Sequence, residues 1–213
     1  MDVINSTATL SEDSILADEN YTYFHNNFMK YLEKVKDYEK ESEGSSIQEQ
    51  IEYYYDLLSL YPNIKQVFEI GMNMGISTAA FLSVRPDIHV TSVDICSHDY
   101  VEQCKQELDK QFPNRHVLHK GNSIMVVPQL PPAKYDLILV DGNHEAPYPL
   151  QDMLNVLPLC HEETFIILDD MCEAFGKKGV YQAVDQLMNE KKIVFIEHVT
   201  AKNRGWGVFR AVL

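Results

Sequence analysis

The sequence predicts an α/β domain built on a mostly parallel β-sheet with helices on both faces. Short runs rich in Val, Ile and Leu alternate with helical stretches along most of the chain, which is the pattern of parallel strands buried on both faces. Several runs end in a carboxylate, and the first breaks at a glycine within Glu69-Ile70-Gly71-Met72-Asn73-Met74-Gly75. Ligands of such sheets bind beyond the carboxyl ends of the strands, so we expect a ligand site there.

Length and charge limit the classes of protein that this chain can represent. Its 213 residues, 45% of them hydrophobic, can bury the core of one α/β domain and a helical extension. The formal net charge of −14 disfavours a nucleic-acid partner, because such binding depends on Lys and Arg side chains that neutralise phosphates. The sequence predicts neither a membrane span nor a signal peptide. We therefore expect an intracellular, cytoplasmic protein without a membrane or nucleic-acid partner.

The chain divides into three predicted parts. In order, they are a mobile tail at residues 1–20, N-terminal helices at 21–60 and the sheet domain at 61–213. Apolar side chains recur every three or four residues over 21–40, which predicts a helix that packs on the sheet domain or on a second subunit of a homodimer. Ser46 and Glu49 fit a capping box that opens a second helix, which runs through Leu60.

Seven strands are predicted in the sheet domain, each from a short apolar or β-branched run. Their expected ranges are 67–70, 88–93, 116–119, 135–141, 164–168, 192–196 and 205–211. Helices are expected from the glycine turn to residue 84 and over 100–112, 147–157 and 179–191. Only about ten residues separate the last two strands, too few for a crossover helix, so these strands should form an antiparallel hairpin.

The glycine turn after the first strand has the features of a ligand-binding loop. Gly71 lets the backbone leave the strand at angles that a side chain would forbid, and Gly75 lacks the Cβ that would keep the next helix from packing closely. The spacing is G-x-x-x-G, whereas a dinucleotide-binding loop requires G-x-G-x-x-G. We therefore expect a nucleotide-like ligand other than NAD. The alternative is an ordinary strand-to-helix turn whose glycines serve packing alone.

With Glu69, the turn gives the pattern E-x-G-x-x-x-G, which resembles motif I of the class I S-adenosylmethionine-dependent methyltransferases. Further segments that carry the likeness are 93–94, 136–144 and 167–170. Over about residues 47–213, the chain looks like a small O-methyltransferase-like branch of that family. The resemblance implies a Rossmann-like sheet in the order 3-2-1-4-5-7-6 with only strand seven antiparallel. It also implies that S-adenosylmethionine lies across the ends of strands one to three.

The resemblance implies roles for the residues around this donor. Asp94 ends the second strand, where a carboxylate can accept hydrogen bonds from both ribose hydroxyls. Glu69 resembles the acid that helps orient the amino-acid end of the donor, and 121–123 lies where the family lines the adenine. The expected cofactor-binding residues are Glu69, Gly71, Asn73, Gly75, Ser77, Asp94, Asn122, Ser123 and Asp141. The alternatives are a capped strand end for Asp94 and plain loop positions at 122–123.

Three aspartates at the ends of strands four and five predict a cation site. Asp141 and the pair Asp169-Asp170 end adjacent strands in this topology, so they should lie close together. Carboxylates within about 4 to 6 Å of each other would take up protons through mutual repulsion, whereas a divalent cation keeps them ionised. Oxygen ligands favour Mg²⁺, Mn²⁺ or Ca²⁺ over Zn²⁺. The alternative is a lone strand-end aspartate beside two solvated loop acids.

The resemblance implies metal-assisted O-methylation of a small hydroxylated molecule such as a sugar, glycoside or catechol. In similar enzymes the cation holds two substrate oxygens, lowers the pKa of the attacking hydroxyl and aims it at the methyl group. Some sugar-modifying relatives have an acid two positions after the first metal aspartate, but Asn143 stands there. His144 is the nearest candidate base, since histidine titrates near neutral pH, and Tyr148 and Glu145 are weaker candidates. Asp141 is the second expected catalytic residue.

Two other functions are compatible with the sequence. A non-catalytic module could keep the fold, bind the donor as a sensor or engage a protein through its acidic N-terminal helices, and Asn143 in place of an acid keeps this alternative open. An NAD-dependent oxidoreductase is disfavoured by the glycine spacing and by the lack of an evident substrate domain.

Overall fold

The computed structural model describes residues 19–39, 46–172 and 179–213. Within these ranges, the strands are β1 (Gln66–Ile70), β2 (His89–Asp94), β3 (His116–Lys120), β4 (Tyr135–Val140), β5 (Cys160–Leu168), β6 (Ile193–Ala201) and β7 (Arg204–Ala211). The α-helices are α1 (Glu19–Val35), α2 (Gln48–Leu60), α3 (Ile76–Val84), α4 (Asp99–Gln111), α5 (Ser123–Val126), α6 (Tyr148–Val156) and α7 (Val180–Asn189). Short 3-10 helices lie at Lys36–Tyr38, Val127–Gln129 and Leu157–Leu159.

The strands form one sheet in the order β3-β2-β1-β4-β5-β7-β6. Strands β1 to β5 pair in parallel, and β7 is antiparallel to both β5 and β6. The predicted fold class and strand order are therefore confirmed. Because the chain leaves β1 towards β2 on one side and later returns to β4 on the other, the loops after β1 and β4 part at the centre of the sheet. A crevice at this point is the usual ligand site of such folds.

Two strands, β5 and β6, extend beyond their predicted ranges by more than one residue. β5 begins at Cys160 rather than at residue 164, and β6 continues to Ala201 rather than ending at 196. The added residues are mostly polar, so they interrupt the apolar pattern. Pairing with β7 maintains the added part of β6, whereas in β5 only Cys160 pairs, with Tyr135, before the register shifts to Phe165. Register pairs run between β6 and β7 as far as Ala201 and Arg204, so the hairpin turn contains only two residues.

The N-terminal helices differ from their predicted limits. α1 begins at Glu19, inside the expected tail, while residues 1–18 of that tail and residues 40–45 between the two helices lie outside the described residues. The predicted capping box is wrong: Ile47 is the N-cap of α2, and no side chain caps this helix. Ser46 instead lines a cavity at the carboxyl ends of the strands.

Apolar side chains cover both faces of the sheet. On one face, α1, α2, α3 and α4 bury a cluster that includes Tyr54, Phe81, Leu108 and Trp206. On the other face, α6 and α7 bury residues such as Met153 and Leu187 against the strands. This arrangement explains why the central strands are apolar throughout. No helix among the described residues has the length and apolar character needed to cross a membrane.

Candidate functional site

A cavity of about 550 Å³ lies at the carboxyl ends of the parallel strands. The predicted site residues that line it are Gly71, Asn73, Ser77, Asp94, Asn122, Ser123, Asp141, His144, Asp169 and Asp170. One end of the cavity adjoins the ends of β2 and β3, and the other adjoins the ends of β4 and β5. The cavity is therefore long enough in the sheet plane to contact five successive strand ends.

Gly71 is required because the loop after β1 passes very close to the start of the loop after β4. Its φ is 92°, and a Cβ atom at this position would lie only 2.0 Å from the carbonyl oxygen of Asp141. The Gly71 amide donates to the carbonyl of Val93, and the Asp141 amide donates to that of Ile70, each at 2.9 Å. A side chain at Gly71 would therefore displace the Asp141 loop, in addition to any effect on a ligand.

Gly75 is required by helix α1, which packs against the glycine turn from behind. Its φ is 72°, and an added Cβ would lie 2.8 Å from the hydroxyl oxygen of Tyr31. That hydroxyl is buried and donates to the carbonyl of Met74 at 2.6 Å. The N-terminal helix thus anchors the turn directly. This contact joins residues 43 positions apart, so nothing in the local sequence pattern points to it.

Asp94 is held in place at the end of β2 by two backbone amides. The Asn73 amide donates to Oδ2 at 2.8 Å, and the Cys96 amide donates to Oδ1 at 2.7 Å. Asn73 itself has a φ of 49° and accepts a hydrogen bond from the Tyr100 hydroxyl at 2.7 Å. A carboxylate offers about four acceptor positions, so each Asp94 oxygen keeps capacity for another donor. This geometry fits a vicinal diol such as that of a ribose.

Glu69 does not contact the cavity, in contrast to its predicted role at the amino-acid end of the donor. Its side chain is fully buried and accepts hydrogen bonds from the hydroxyls of Ser77, Thr78 at 2.6 Å and Ser92 at 2.7 Å. Alternation along β1 turns Glu69 towards the first turn of α3, which supplies two of these hydroxyls. Burial raises the pKa of Glu69, and the three hydroxyls lower it. Only Ser77 among these hydroxyl donors also lines the cavity.

The aspartates at the ends of β4 and β5 lie together, close enough to influence one another. Burial and the charges of Asp169 and Asp170 raise the pKa of Asp141 well above its usual value. Burial also raises the pKa of Asp169, which is 6% exposed, while the amide of Gln50 lowers it. Gln50 lies on α2 and is itself 1% exposed. The N-terminal helices therefore place a polar side chain beside the cluster, which the sequence reading missed.

Asp170 is paired with two cationic or polar partners. Its Oδ1 accepts a hydrogen bond from Arg204 Nη1 at 3.1 Å, and its Oδ2 lies 3.1 Å from Nδ1 of His144. A φ of 57° at Asp170 turns the chain sharply after β5. The sequence analysis did not include Arg204 in the predicted site, although the predicted strand order could have indicated it. It begins the strand that pairs with β5, so the topology places it near the end of that strand.

The arrangement does not fit a cation held by all three aspartates. Arg204 and His144 already engage both oxygens of Asp170. In the parts of the chain that are described, no group of three or more His, Cys, Asp and Glu side chains is placed to hold a metal ion. Arg204 supplies positive charge where the sequence predicted Mg²⁺, and it lowers the pKa of both Asp141 and Asp169. Metal binding stays a prediction.

The fold and the cavity together define a Rossmann-like methyltransferase architecture, and the comparisons with known proteins agree. Residues 68–171 match the family described as "Methyltransferase domain". No curated protein matches the chain in sequence. Residues 68–171 are thus similar to a methyltransferase domain, and they lie within the Rossmann-like sheet described above.

Solved structures with the same fold include several O-methyltransferases. A protein from Staphylococcus aureus provisionally assigned as a caffeoyl-CoA O-methyltransferase has a TM-score of 0.71 and 18% identity, over 89% of this chain and 96% of that one. An O-methyltransferase of tomaymycin synthesis from Streptomyces achromogenes, solved with S-adenosylmethionine, has a TM-score of 0.70 and 16% identity, over 91% of this chain and 90% of that one. An O-methyltransferase from Bacillus cereus, solved with S-adenosylhomocysteine, has a TM-score of 0.71 and 14% identity, over 88% of this chain and 91% of that one. At these identities, the likeness shows the fold alone.

Proposed function

We propose that the protein transfers the methyl group of S-adenosylmethionine to a hydroxyl oxygen of a small molecule such as a sugar, glycoside or catechol. The observation that carries this proposal is the pair formed by His144 and Asp170 at the β4 and β5 end of the cavity. Nδ1 of His144 lies 3.1 Å from Asp170 Oδ2, and a carboxylate close to Nδ1 favours the tautomer in which Nε2 accepts a proton. The O-methyltransferases of the same fold are consistent with an oxygen acceptor.

Each residue of this array has a separate task in the proposed reaction. When bound, S-adenosylmethionine supplies a methyl group on a sulfonium, and that group moves to the acceptor oxygen by in-line displacement. His144 takes the proton of the acceptor hydroxyl on Nε2, while Asp170 keeps the ring oriented through Nδ1. Arg204 holds the other oxygen of Asp170 and so limits its movement. Asp141, half-buried beside them, offers a hydrogen-bond acceptor for a second acceptor hydroxyl.

The proposal is tested by replacing His144 and separating transfer from donor binding. A panel of sugars, glycosides and catechols is screened for methyl transfer, and S-adenosylhomocysteine affinity is measured by calorimetry. His144→Gln should lower kcat by about 10²-fold or more, the usual effect of losing a general base, and leave donor affinity within about twofold. His161→Gln is the control, because His161 pairs with Asp136 at the start of β5, away from the cavity. Full activity in His144→Gln would refute its role as base.

Metal assistance is a second candidate, and the buried Asp169 favours it. Its Oδ1 has no hydrogen-bond partner among the described residues, so Asp141 and Asp169 could still attract a cation. If Mg²⁺ takes part, transfer should vanish in EDTA and return with Mg²⁺. If Arg204 alone balances the acids, transfer should survive EDTA and fall in Arg204→Leu. Donor binding without transfer to any acceptor would instead favour the non-catalytic module.

A further inference from the structure

A buried carboxyl group lies directly behind the wall of the cavity near the end of β3. Asp152, on α6, is 1% exposed and does not itself line the cavity. It faces two residues that do. The Ser123 hydroxyl approaches it closely enough to lower its pKa, and a Cβ atom on Gly142 would lie 3.3 Å from Asp152 Oδ2. Asp152 therefore supports the loops after β3 and β4 from within.

The surroundings of Asp152 leave its charge poorly compensated. Within the described residues, neither carboxylate oxygen has a partner with good hydrogen-bond geometry. Burial raises the pKa of Asp152 to about 6, with Ser123 as the opposing influence and no basic side chain contributing. Burying a carboxyl group in this way costs free energy. An apolar residue would pack in the same space without that cost, so the carboxyl group has a use that packing does not explain.

The position of Ser123 suggests that use. The amide of Gly121 donates to the carbonyl of Asp94 at 2.8 Å, so the loop that carries Ser123 lies next to Asp94. A nucleoside whose ribose diol meets Asp94 has the glycine turn on one side and this loop on the other. By the family resemblance, its 5′ substituent extends towards the turn and the acceptor end of the cavity, and its base lies at 121–123, beside Ser123.

We propose that Asp152 is a positioning residue that makes Ser123 select adenine. A serine hydroxyl has one proton to donate and two acceptor lone pairs. When that proton is given to Asp152, Ser123 Oγ can only accept a hydrogen bond from the ligand. The exocyclic amine of adenine donates such a bond, whereas the carbonyl oxygen at the same position of hypoxanthine does not. The proposal rests on the assignment of the donor and is independent of the methyl acceptor.

The test compares two ligands whose bases differ at the 6-position, which carries an amine in adenine and a carbonyl in hypoxanthine, with the accompanying proton on N1 of hypoxanthine. Calorimetry at pH 7.5 measures S-adenosylhomocysteine and S-inosylhomocysteine with each variant. The wild-type protein should prefer the adenine compound by about tenfold or more, as expected when a site built to accept a hydrogen bond meets an analogue without the donor. Asp152→Leu should reduce this preference to about threefold or less. Asp152→Asn should keep most of it, because the amide oxygen can still accept the serine proton.

The ratio of affinities separates positioning from simple loosening of the fold, which weakens both ligands alike. Asn155→Leu is the matched control, because Asn155 lies one turn further along α6, where its Oδ1 accepts from Gln151 Nε2 at 3.0 Å and its Nδ2 donates to the Ile124 carbonyl at 3.4 Å. Its preference should equal that of the wild type. If Asp152→Leu fails to fold, Ser123→Ala provides the same test and should lose the preference.

Three outcomes would overturn the proposal. Equal affinity of the wild-type protein for both ligands would refute it while leaving the donor assignment intact. An unchanged preference in a folded Asp152→Leu or Ser123→Ala variant would refute it as well. Binding of neither ligand to the wild-type protein would remove the donor assignment and this proposal together.

Discussion

At the scale of single residues, Asp152 should make the protein less stable as the pH rises. Its pKa is about 6 in the folded protein and about 3.9 in an unfolded chain. The folded state therefore binds the proton more tightly, so the stability contribution present below about pH 4 is lost as the pH rises to 6. Asp152→Asn removes this dependence and should stabilise the protein by up to about 3 kcal/mol at pH 7.5, and by about half of that at pH 5.

Thermal unfolding of both proteins at pH 5 and pH 7.5 measures this difference. A gain of about 3 kcal/mol corresponds to several degrees in Tm for a chain of this size. Asp185→Asn is the control, since Asp185 is exposed on α7 and should show no such dependence. An equal change in Tm at the two pH values would contradict the expected titration of Asp152.

Tyr31 tests the anchoring of the glycine turn. Tyr31→Phe keeps the ring but leaves the Met74 carbonyl without the hydroxyl that donates to it at 2.6 Å. An unsatisfied buried acceptor costs about 1 to 3 kcal/mol, and part of this loosening should reach Asn73 and lower donor affinity. Urea unfolding and calorimetry measure the two effects. Tyr23→Phe is the control because Tyr23 is 45% exposed on the same helix, and similar results for both variants would argue against the anchor.

At the scale of elements, α1 should behave as part of the domain core. Its buried residues are Phe24, Phe28, Tyr31 and Val35, and they pack into the same cluster as the sheet. Deleting residues 1–40 should therefore lower Tm, expose apolar surface to a dye such as ANS and weaken binding of S-adenosylhomocysteine. Unchanged Tm and affinity would show that the helix is an independent appendage. A change in light scattering alone would instead favour the homodimer contact.

The elements that the sequence predicted were those with a local cause. Apolar periodicity placed the helices and strands, and the family resemblance supplied the order in which the strands pair. Contacts between distant positions left no local signal, although the predicted topology could have placed Arg204 near Asp170. Tyr31 meets Met74, Gln50 faces Asp169 and Arg204 pairs with Asp170, and each contact depends on packing that leaves no periodic signal. Glu69 was expected at the amino-acid end of the donor, but its side chain lies against hydroxyl groups of α3 and β2, which could not be inferred before the helix was placed.

At the scale of the whole molecule, the excess of acidic residues should make stability depend on salt. The chain has 32 acidic and 18 basic residues, a net charge of −14 at pH 7. Repulsion among these charges disfavours the compact state. Added salt weakens this repulsion, because charges more than about 10 Å apart are largely screened at 0.1 M ionic strength. Raising NaCl from 20 to 200 mM at pH 7.5 should therefore raise Tm by a few degrees. The effect should largely disappear near the isoelectric point of about 4.9, and a fall in Tm with salt at pH 7.5 would contradict it.

The position of β7 has a consequence for the synthesis of the protein. This strand comes last along the chain, yet it lies between β5 and β6 inside the sheet. A nascent chain that has emerged only as far as β6 therefore carries a gap beside β5, with unpaired backbone groups at its border. The same missing strand begins with Arg204, the partner of Asp170. The strand that completes the sheet also brings the cation that pairs with Asp170, so the two events should occur together once β7 has left the ribosome.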